Sequence, residues 1–199
     1  MSTLDLAQRT AQRDRTRAIA AVRELLLAVG EDADRVGLQR TPERFADLMI
    51  DMLSCVGVDP VSAMGAPVPL EDGETAGELV SVTGIPFRTL CEHHLVPFEG
   101  EADVSYFPRA RLAGFSRIAR VVNVAAARPQ LQERLGQQVA LAVHQALEPH
   151  GVVVRLEASH GCMSHLEPHA TGARIVTIAT AGIVTDAALA LTLAGRGRA

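Results

Sequence analysis

The sequence predicts an α+β fold in which an N-terminal helical extension precedes a core with the element order β-β-α-α-β-β. Apolar residues recur with helical spacing before residue 57 and again between residues 116 and 147. Segments after residue 78 have strand patterns, and the clearest alternates apolar Ala102, Val104 and Tyr106 with polar residues. Prolines and glycines punctuate residues 57–77 and predict a loop. We therefore expect a helical extension and loop over 1–77 and a core domain over 78–199.

Two helices are predicted in the N-terminal part. The first covers residues 15–29 and ends at Gly30. The second begins at Thr41, because threonine is a favourable N-cap and Pro42 suits the first helical position. Each helix has one apolar stripe, made of Ile19, Val22, Leu26 and Val29 in the first and of Phe45, Leu48, Met49 and Met52 in the second.

The core is predicted to contain four strands and two helices. In chain order these are strands 79–90 and 99–107, helices 116–127 and 130–147, and strands 152–160 and 174–184. The helices would bury Ile118, Val121, Val122 and Ala125 in the first and Leu131, Leu135, Val139, Ala142 and Ala146 in the second. The tail after Asp186 is rich in alanine and leucine, which favours a short helix with a frayed end.

The composition narrows the class of protein. The 199 residues are 48% hydrophobic and 21% charged, enough to bury a sizeable core, and the net charge is −4 with a pI near 6.0. This charge does not favour nucleic acid or an anionic membrane as a partner. Three cysteines, an odd number, argue against a disulfide framework. No signal peptide and no run of roughly 18 apolar residues are visible, so we expect a soluble cytoplasmic protein.

Two clusters of cysteine and histidine are the strongest chemical signal in the chain. They are Cys91-Glu92-His93-His94 and, far downstream, His160-Gly161-Cys162. Cys91, His94 and Cys162 would supply three zinc ligands and leave a fourth position open, as catalytic zinc sites do. His93 and His160 would then remain to move protons near neutral pH. The alternative is that these side chains are simply packed at strand ends, since C-x-x-H alone is a weak motif.

A second group of candidate functional residues, which is basic, lies at the start of the first core helix. Ser116 starts this helix, and Arg117 and Arg120 lie in its first turns. Cations oppose the helix dipole at this end, so the placement is unfavourable unless an anion binds there. Two solvated arginines on the outer face are the alternative interpretation. Glu133, in the next helix, lies outside the apolar stripe, and the simplest interpretation is a carboxylate exposed to solvent.

Together these motifs resemble the GTP cyclohydrolase I family over residues 41–162. The matching runs are Thr41-Pro42-Glu43-Arg44, Cys91-Glu92-His93-His94-Leu95-Val96-Pro97-Phe98, Gly114-Phe115-Ser116-Arg117-Ile118-Ala119-Arg120, Arg128-Pro129-Gln130-Leu131-Gln132-Glu133-Arg134 and His160-Gly161-Cys162-Met163. Five motifs in order are far more specific than any one of them. The element order also agrees with that family's tunnelling fold, an antiparallel sheet with helices on one face.

The resemblance implies a role for each of these residues. Zinc would be held by Cys91, His94 and Cys162, and His93 and His160 would transfer protons. The remaining residues would bind a purine nucleotide, GTP above all. Glu133 would recognise the guanine edge, and Gln132 would also contact the substrate. The triphosphate would be bound by Ser116, Arg117, Arg120 and Arg44. The family forms decamers of two stacked five-membered rings, so a homodecamer or other homo-oligomer with active sites at subunit boundaries is expected.

The implied reaction is a hydrolysis. Water attacks C8 of the purine while a histidine protonates N7, and zinc supplies this water by lowering its pKa. The imidazole ring opens to a formamide, a second hydrolysis releases formate, and the ribose rearranges and closes a dihydropterin ring. Histidines suit the proton transfers because both their donor and acceptor forms are accessible near pH 7.

The segment after Cys162 departs from the family pattern. The family usually has an arginine and a glycine four and five residues beyond this cysteine, whereas Leu166 and Glu167 stand here. The usual lysine after the serine is Arg117, which keeps the charge but changes the donor geometry. His165 and His169 are additions that either lie on the surface or contact substrate. Losing a guanidinium and gaining a carboxylate should weaken a polyanion site.

Three functions remain open from the sequence. The first is the complete conversion of GTP to dihydroneopterin triphosphate. The second is a paralogue that acts on another purine or a less phosphorylated nucleotide, or that stops at the opened formamide. The third is a non-catalytic oligomeric binding module, which the intact set of cysteines and histidines argues against.

Overall fold

The computed structural model describes residues 13–71, 78–166, 172–186 and 189–190. The chain forms two compact units, with the division after Gly57. The domain boundary predicted after residue 77 stays a prediction, since residues 72–77 lie outside the described ranges. None of the described helices is long and apolar enough to cross a membrane.

The first unit contains the two predicted helices, α1 (Arg15–Ala28) and α2 (Thr41–Met52). Asp14 caps α1, because its carboxylate accepts from the backbone N–H of Arg17 at 2.8 Å. The prediction that Thr41 caps α2 is wrong. The carbonyl of Arg40 accepts the first helical hydrogen bond, from the Arg44 N–H at 3.1 Å, so the cap is Arg40. Pro42 accordingly takes the second helical position.

The second unit carries the sheet and the other helices. Its elements are a 3₁₀ helix (Pro60–Ala63), β1 (Val68–Pro69), β2 (Val80–Cys91), β3 (Pro97–Tyr106), β4 (Arg111–Leu112), α3 (Phe115–Ala126), β5 (Pro129–Gln130), α4 (Gln132–Leu147), β6 (Gly151–His160), α5 (Gly161–Leu166) and β7 (Ile175–Gly182). The four predicted core strands correspond to β2, β3, β6 and β7, and the two predicted core helices to α3 and α4. The sequence did not predict β1, β4, β5 or α5.

The strands form a five-stranded sheet in the order β5-β2-β3-β6-β7, and β1 pairs separately with β4. Adjacent strands in the run β2-β3-β6-β7 are antiparallel. Strand β5, which has two residues, pairs in parallel with the end of β2. This pairing explains why α4 starts at Gln132 and not at residue 130. The α+β tunnelling fold with β-β-α-α-β-β order is therefore confirmed.

Both long helices of this unit pack on one face of the sheet. Strand alternation turns Ala102 and Val104 of β3 and Val154 and Leu156 of β6 to this face, where all are fully buried. The helices contribute buried residues at helical spacing, namely Ile118, Val121, Val122, Leu135, Val139 and Val143. Each such side chain stabilises the fold by about 1.5–3 kcal/mol. Charged residues such as Asp103, Arg155 and Glu157 lie on the opposite face.

Strand β6 ends at His160, as the predicted strand 152–160 does, and α5 begins at Gly161. Extended geometry therefore does not continue through Cys162, where it would have placed His160 and Cys162 on one strand face. The reason is that the partner strand β3 begins at Pro97, so the pairing of Phe98 with His160 is the last in the ladder.

Candidate metal centre and active site

Cys91, His94 and Cys162 come together at one end of the sheet. Their ligand atoms, two sulfurs and an imidazole nitrogen, all lie within 4.8 Å of one another. Tetrahedral coordination at the usual zinc–sulfur and zinc–nitrogen distances separates ligand atoms by about 3.3–3.8 Å, so a small adjustment completes the geometry. All three cysteines of the chain are free thiols, as the odd count predicted. The cluster can therefore hold a metal ion, and the predicted convergence of the two motifs is observed.

Backbone hydrogen bonds fix the turn that carries Cys91 and His94. The Cys91 N–H donates to the Val96 carbonyl at 2.9 Å, and the Leu95 N–H donates to the Cys91 carbonyl at 2.8 Å. The Glu92 N–H donates to the Gln130 carbonyl of β5 at 3.1 Å. Cys91 is buried as the last residue of β2, whereas the side chains of His93 and His94 are exposed. The turn thus presents both imidazoles to solvent from a fixed backbone.

Gly161 allows the second cluster to approach the first. A Cβ atom on this residue would lie 2.7 Å from Val96 Cγ1 and 2.9 Å from the Pro97 carbonyl oxygen. Contacts this short require the neighbouring atoms to move. Glycine therefore lets α5 start directly against the beginning of β3, and Cys162 reaches Cys91 from there.

Burial raises the pKa of the Cys162 thiol, and the neighbouring Cys91 thiol raises it further. Two thiols side by side resist the formation of two negative charges unless a cation is present. A bound metal ion is such a cation, and it favours the thiolate forms of its ligands. A metal ion bound by both thiolates would therefore also remove the repulsion between them.

His160 lies at the end of β6 and is held from two directions. Its ring stacks on the buried Phe98, with centroids 4.3 Å apart and planes inclined by 7°. Its Nε2 atom is 2.8 Å from the amide oxygen of Gln132. Burial lowers the pKa of this imidazole, while the charge of Glu133 acts in the opposite direction. Phe98 is a contact that sequence reasoning missed, although it is the last residue of the matching run that begins at Cys91.

The first turn of α4 touches both sides of the centre. Gln132 is buried and contacts His160, while Glu133 beside it is exposed. Arg134 forms a bidentate ion pair with Glu92, including an Nη2–Oε1 hydrogen bond of 3.0 Å. This pair lowers the pKa of Glu92 by the hydrogen bond from Arg134. Helix α4 is therefore tied to the turn that carries Cys91 and His94 as well as to β6. No pattern in the sequence indicated the Glu92–Arg134 pair.

The predicted anion site at the start of α3 is exposed. The helix begins at Phe115, one residue earlier than predicted, with Gly114 as its N-cap and no side-chain hydrogen bond at the cap. Ser116, Arg117 and Arg120 are exposed on its first turns, and the first turn contains no acidic residue. The guanidinium of Arg117 lies over Gly65, where a Cβ would be 3.3 Å from its central carbon. The site thus presents backbone N–H groups and two cations to solvent.

The structure shows less about the other predicted site residues. Arg44 is an exposed residue of α2, in the first compact unit. His165 and Leu166 are the last residues of α5, whereas Glu167 and His169 lie outside the described residues. The predicted roles of these residues stay predictions.

A curled antiparallel sheet backed by helices, with a Cys–His–Cys cluster and a stacked histidine at its end, defines a tunnelling-fold protein with a candidate metal centre. The family model described as GTP cyclohydrolase I matches residues 18–193. This chain belongs to the GTP cyclohydrolase I family, so the resemblance and the expected enzyme class are confirmed at the level of the family.

Curated relatives are similar over most of the chain. The chain is 46% identical over 169 residues to GTP cyclohydrolase 1 of Leifsonia xyli, covering 85% of this chain and 87% of the relative. It is 44% identical over 176 residues to GTP cyclohydrolase 1 of Acetivibrio thermocellus, with 87% and 92% covered. The Bacillus subtilis protein of the same name is 43% identical over 171 residues, with 85% and 88% covered.

A solved structure, the archaeosine synthase QueF-Like in the apo form, is also similar to this chain. The TM-score is 0.46 at 20% identity, over 56% of this chain and all of the other.

Proposed function

We propose that this protein is a zinc-dependent GTP cyclohydrolase I, which opens the imidazole ring of GTP, releases formate and forms 7,8-dihydroneopterin triphosphate. One observation carries the proposal: the ligand atoms of Cys91, His94 and Cys162 converge within 4.8 Å, and His160, two residues before Cys162, is stacked on Phe98 at the end of β6. Relatives named GTP cyclohydrolase 1 that are 43–46% identical support the same activity.

The donor set suits zinc. Two thiolates and one imidazole are soft ligands of the kind that zinc prefers, and three protein ligands leave a coordination position for water. When bound, zinc supplies a water molecule of lowered pKa for hydrolysis. The hard, oxygen-rich sites preferred by magnesium and calcium have no counterpart in this cluster.

The protein's own residues would bind the substrate and move its protons. Glu133, exposed beside the centre, can accept hydrogen bonds from the ring N–H and amino group of guanine. His160 and His93 would donate and accept protons during ring opening. Ser116, Arg117 and Arg120 would bind the triphosphate at the start of α3, with Arg44 as a further cation.

We also propose a homo-oligomer, most simply the decamer that the resemblance implies, with active sites at subunit boundaries. An exposed centre supports this arrangement. His93, His94 and Glu133 all face solvent in the single chain, whereas hydrolytic sites work best where bulk water is excluded. A neighbouring subunit would supply that cover.

A second candidate is a paralogue that uses a less phosphorylated guanine nucleotide, another purine, or releases the opened formamide. Leu166 and Glu167 favour it, because they stand where the family usually has a triphosphate-binding arginine and a glycine. Removal of one charged hydrogen bond weakens binding by about 1.5–3 kcal/mol.

The test is to incubate the zinc-loaded protein separately with GTP, GDP, GMP and ATP. Formate release would be followed with time, and the pterin or formamide product identified by mass. Chelator-treated protein is the control for metal dependence. Dihydroneopterin triphosphate from GTP would support the first proposal, and turnover of GDP or GMP alone, or an accumulated formamide, would support the second. A zinc-replete oligomer that turns over no purine nucleotide would contradict both and favour a binding module.

A further inference from the structure

We propose that Gln132 is a positioning residue that fixes the tautomer of His160, so that Nε2 carries the proton of the neutral ring. The proposal rests on the proposed function of His160 as a proton-transfer residue. It gives Gln132 a different role from the substrate contact that the family resemblance implies.

The amide of Gln132 has one allowed orientation. Its side chain is buried at 2% exposure, and its nitrogen donates to the Ile175 carbonyl at 3.0 Å and to the Leu156 carbonyl at 3.3 Å. Backbone carbonyls only accept hydrogen bonds, so the amide nitrogen must face them. Thr177 Oγ1 lies on the same side, 3.2 Å from this nitrogen. The amide oxygen is therefore turned toward His160.

This orientation determines the proton on the histidine. The Gln132 oxygen is 2.8 Å from His160 Nε2 and can only accept a hydrogen bond, so Nε2 must be the donor. In the neutral ring Nδ1 is then the nitrogen without a proton. The stacking of His160 on Phe98 holds the plane of the ring, and the hydrogen bond to Gln132 holds its rotation within that plane. Both restraints act on one imidazole before any substrate arrives.

The network joins three strands and a helix. Leu156 is on β6, Ile175 and Thr177 are on β7, Phe98 is on β3, and Gln132 is the first residue of α4. A buried amide that meets several fixed partners is a rigid support, whereas a side chain on a loop is not. The described hydrogen bonds of the Gln132 side chain to Leu156, Ile175, Thr177 and His160 together hold its amide in place.

The direct test is neutron diffraction from crystals of the perdeuterated protein kept near pH 8.5, where an ordinary imidazole is neutral. Deuterium on Nε2 of His160, with none on Nδ1, supports the proposal. Deuterium on Nδ1 would overturn it. This readout does not depend on turnover, so it stays valid if the protein proves inactive with GTP and the proposed function fails.

The kinetic test compares two glutamine substitutions in the same helix. Gln132→Met keeps the size of the side chain but removes the acceptor for Nε2, and kcat with GTP should fall by roughly 10- to 100-fold. The KM for GTP should change by less than about threefold, because the substrate contacts are retained. A rise in KM at constant kcat would mean that Gln132 binds substrate, and would overturn the proposal.

Gln138→Met is the matched control. Gln138 is also in α4 and also makes an amide hydrogen bond, accepting from Gln130 Nε2 at 2.7 Å, but it does not contact His160. The kcat of this variant should stay within about twofold of the wild type. An equal loss of kcat in both variants would assign the effect to the helix as a whole, against the proposal.

Thr177 offers a milder pair of variants should Gln132→Met fail to fold. Thr177→Val removes the hydroxyl next to the Gln132 nitrogen, and kcat should fall by about two- to fivefold with KM unchanged. Thr177→Ser keeps the hydroxyl and should restore the wild-type kcat. Equal activity of the valine and serine variants would contradict the role of Thr177 in this network.

Discussion

The metal end of the sheet and the start of α3, the two regions that we propose act on GTP, are held in different ways. At the metal end, Cys91 is buried and His160 is fixed by a stacked ring and a buried amide. At the start of α3, Ser116, Arg117 and Arg120 are exposed, and the helix has no side-chain cap. In the proposed function, ring opening would therefore rely on groups that the fold holds in place, whereas recognition of the phosphates would rely on surface charges.

This difference shows where the sequence can change without loss of the fold. A substitution at the metal end disturbs packing, backbone contacts and ligands together. A substitution near α3 changes charge alone, because exposed side chains there pack against little else. The departure from the family pattern at Leu166 and Glu167 occurs while every residue of the predicted metal and proton-transfer set is retained.

The largest expected effect comes from removing a ligand. Cys162→Ala leaves two of the three protein ligands, and we expect the bound zinc to be lost and formate release to fall by at least about 10³-fold. Zinc content by atomic emission and the rate with GTP would be measured together. Cys55→Ala is the control, since Cys55 is also a free thiol but is not part of the cluster. Full zinc occupancy in the Cys162→Ala variant would contradict the ligand assignment.

A change of pH should affect the metal end strongly. The raised pKa of Cys162 keeps this thiol protonated over more of the pH range, and protons then compete with the metal. The apparent zinc affinity should therefore fall by at least about tenfold for each unit that the pH drops from 8 to 6. Competition with a chelator of known affinity, repeated at each pH, measures this slope. An affinity independent of pH would rule out thiolate ligands.

Gly161→Ala would break the approach of the two clusters without removing a ligand. The added methyl group would meet Val96 Cγ1 at 2.7 Å, so Cys162 must shift, and we expect zinc affinity to fall by roughly 10- to 100-fold. Gly114→Ala tests the other region, because its methyl group would lie 3.7 Å from Arg117 Cγ, an ordinary contact. Zinc affinity should be unchanged in the Gly114 variant. Equal affinities in both variants would show that the close approach at Gly161 is unimportant.

The smallest expected effect lies in the phosphate region. Leu166→Arg restores the family's usual cation, and we expect the KM for GTP to fall by roughly tenfold with kcat little changed. Leu166→Gln adds polarity without charge and should leave KM near the wild-type value. If KM is unchanged or rises in the arginine variant, this segment does not contact the triphosphate.

The sequence predicted the elements with strong periodicity and the residues with distinctive chemistry. Helices α3 and α4 and strands β2, β3, β6 and β7 follow from apolar spacing, and the convergence of Cys91, His94 and Cys162 follows from ligand type. Short pairings escaped prediction. The strand β5 has two residues, too few for any period, and it exists because the end of β2 offers a partner.

The contacts that support the candidate site could also not be predicted from the sequence. Gln132 sits beside Glu133 at the start of a helix, and nothing local shows that it is buried under β6 and β7. The helical turn at Gly161–Leu166 was not predicted, and it follows β6 because the partner strand β3 begins only at Pro97. Tertiary partners decide both cases, and a pattern along one chain segment does not contain them.

The ladder between β3 and β6 runs through nine residue pairs, from Tyr106 opposite Val152 to Phe98 opposite His160. A slip of one residue anywhere along it would displace the far end by about 3.3 Å and turn its side chains to the other face. Cys162 would then miss Cys91. Uptake of the proposed metal ion would therefore report on strand register. A chain that has paired its sheet incorrectly would not bind the ion, and metal content would distinguish misfolded from correctly folded molecules in a refolded sample.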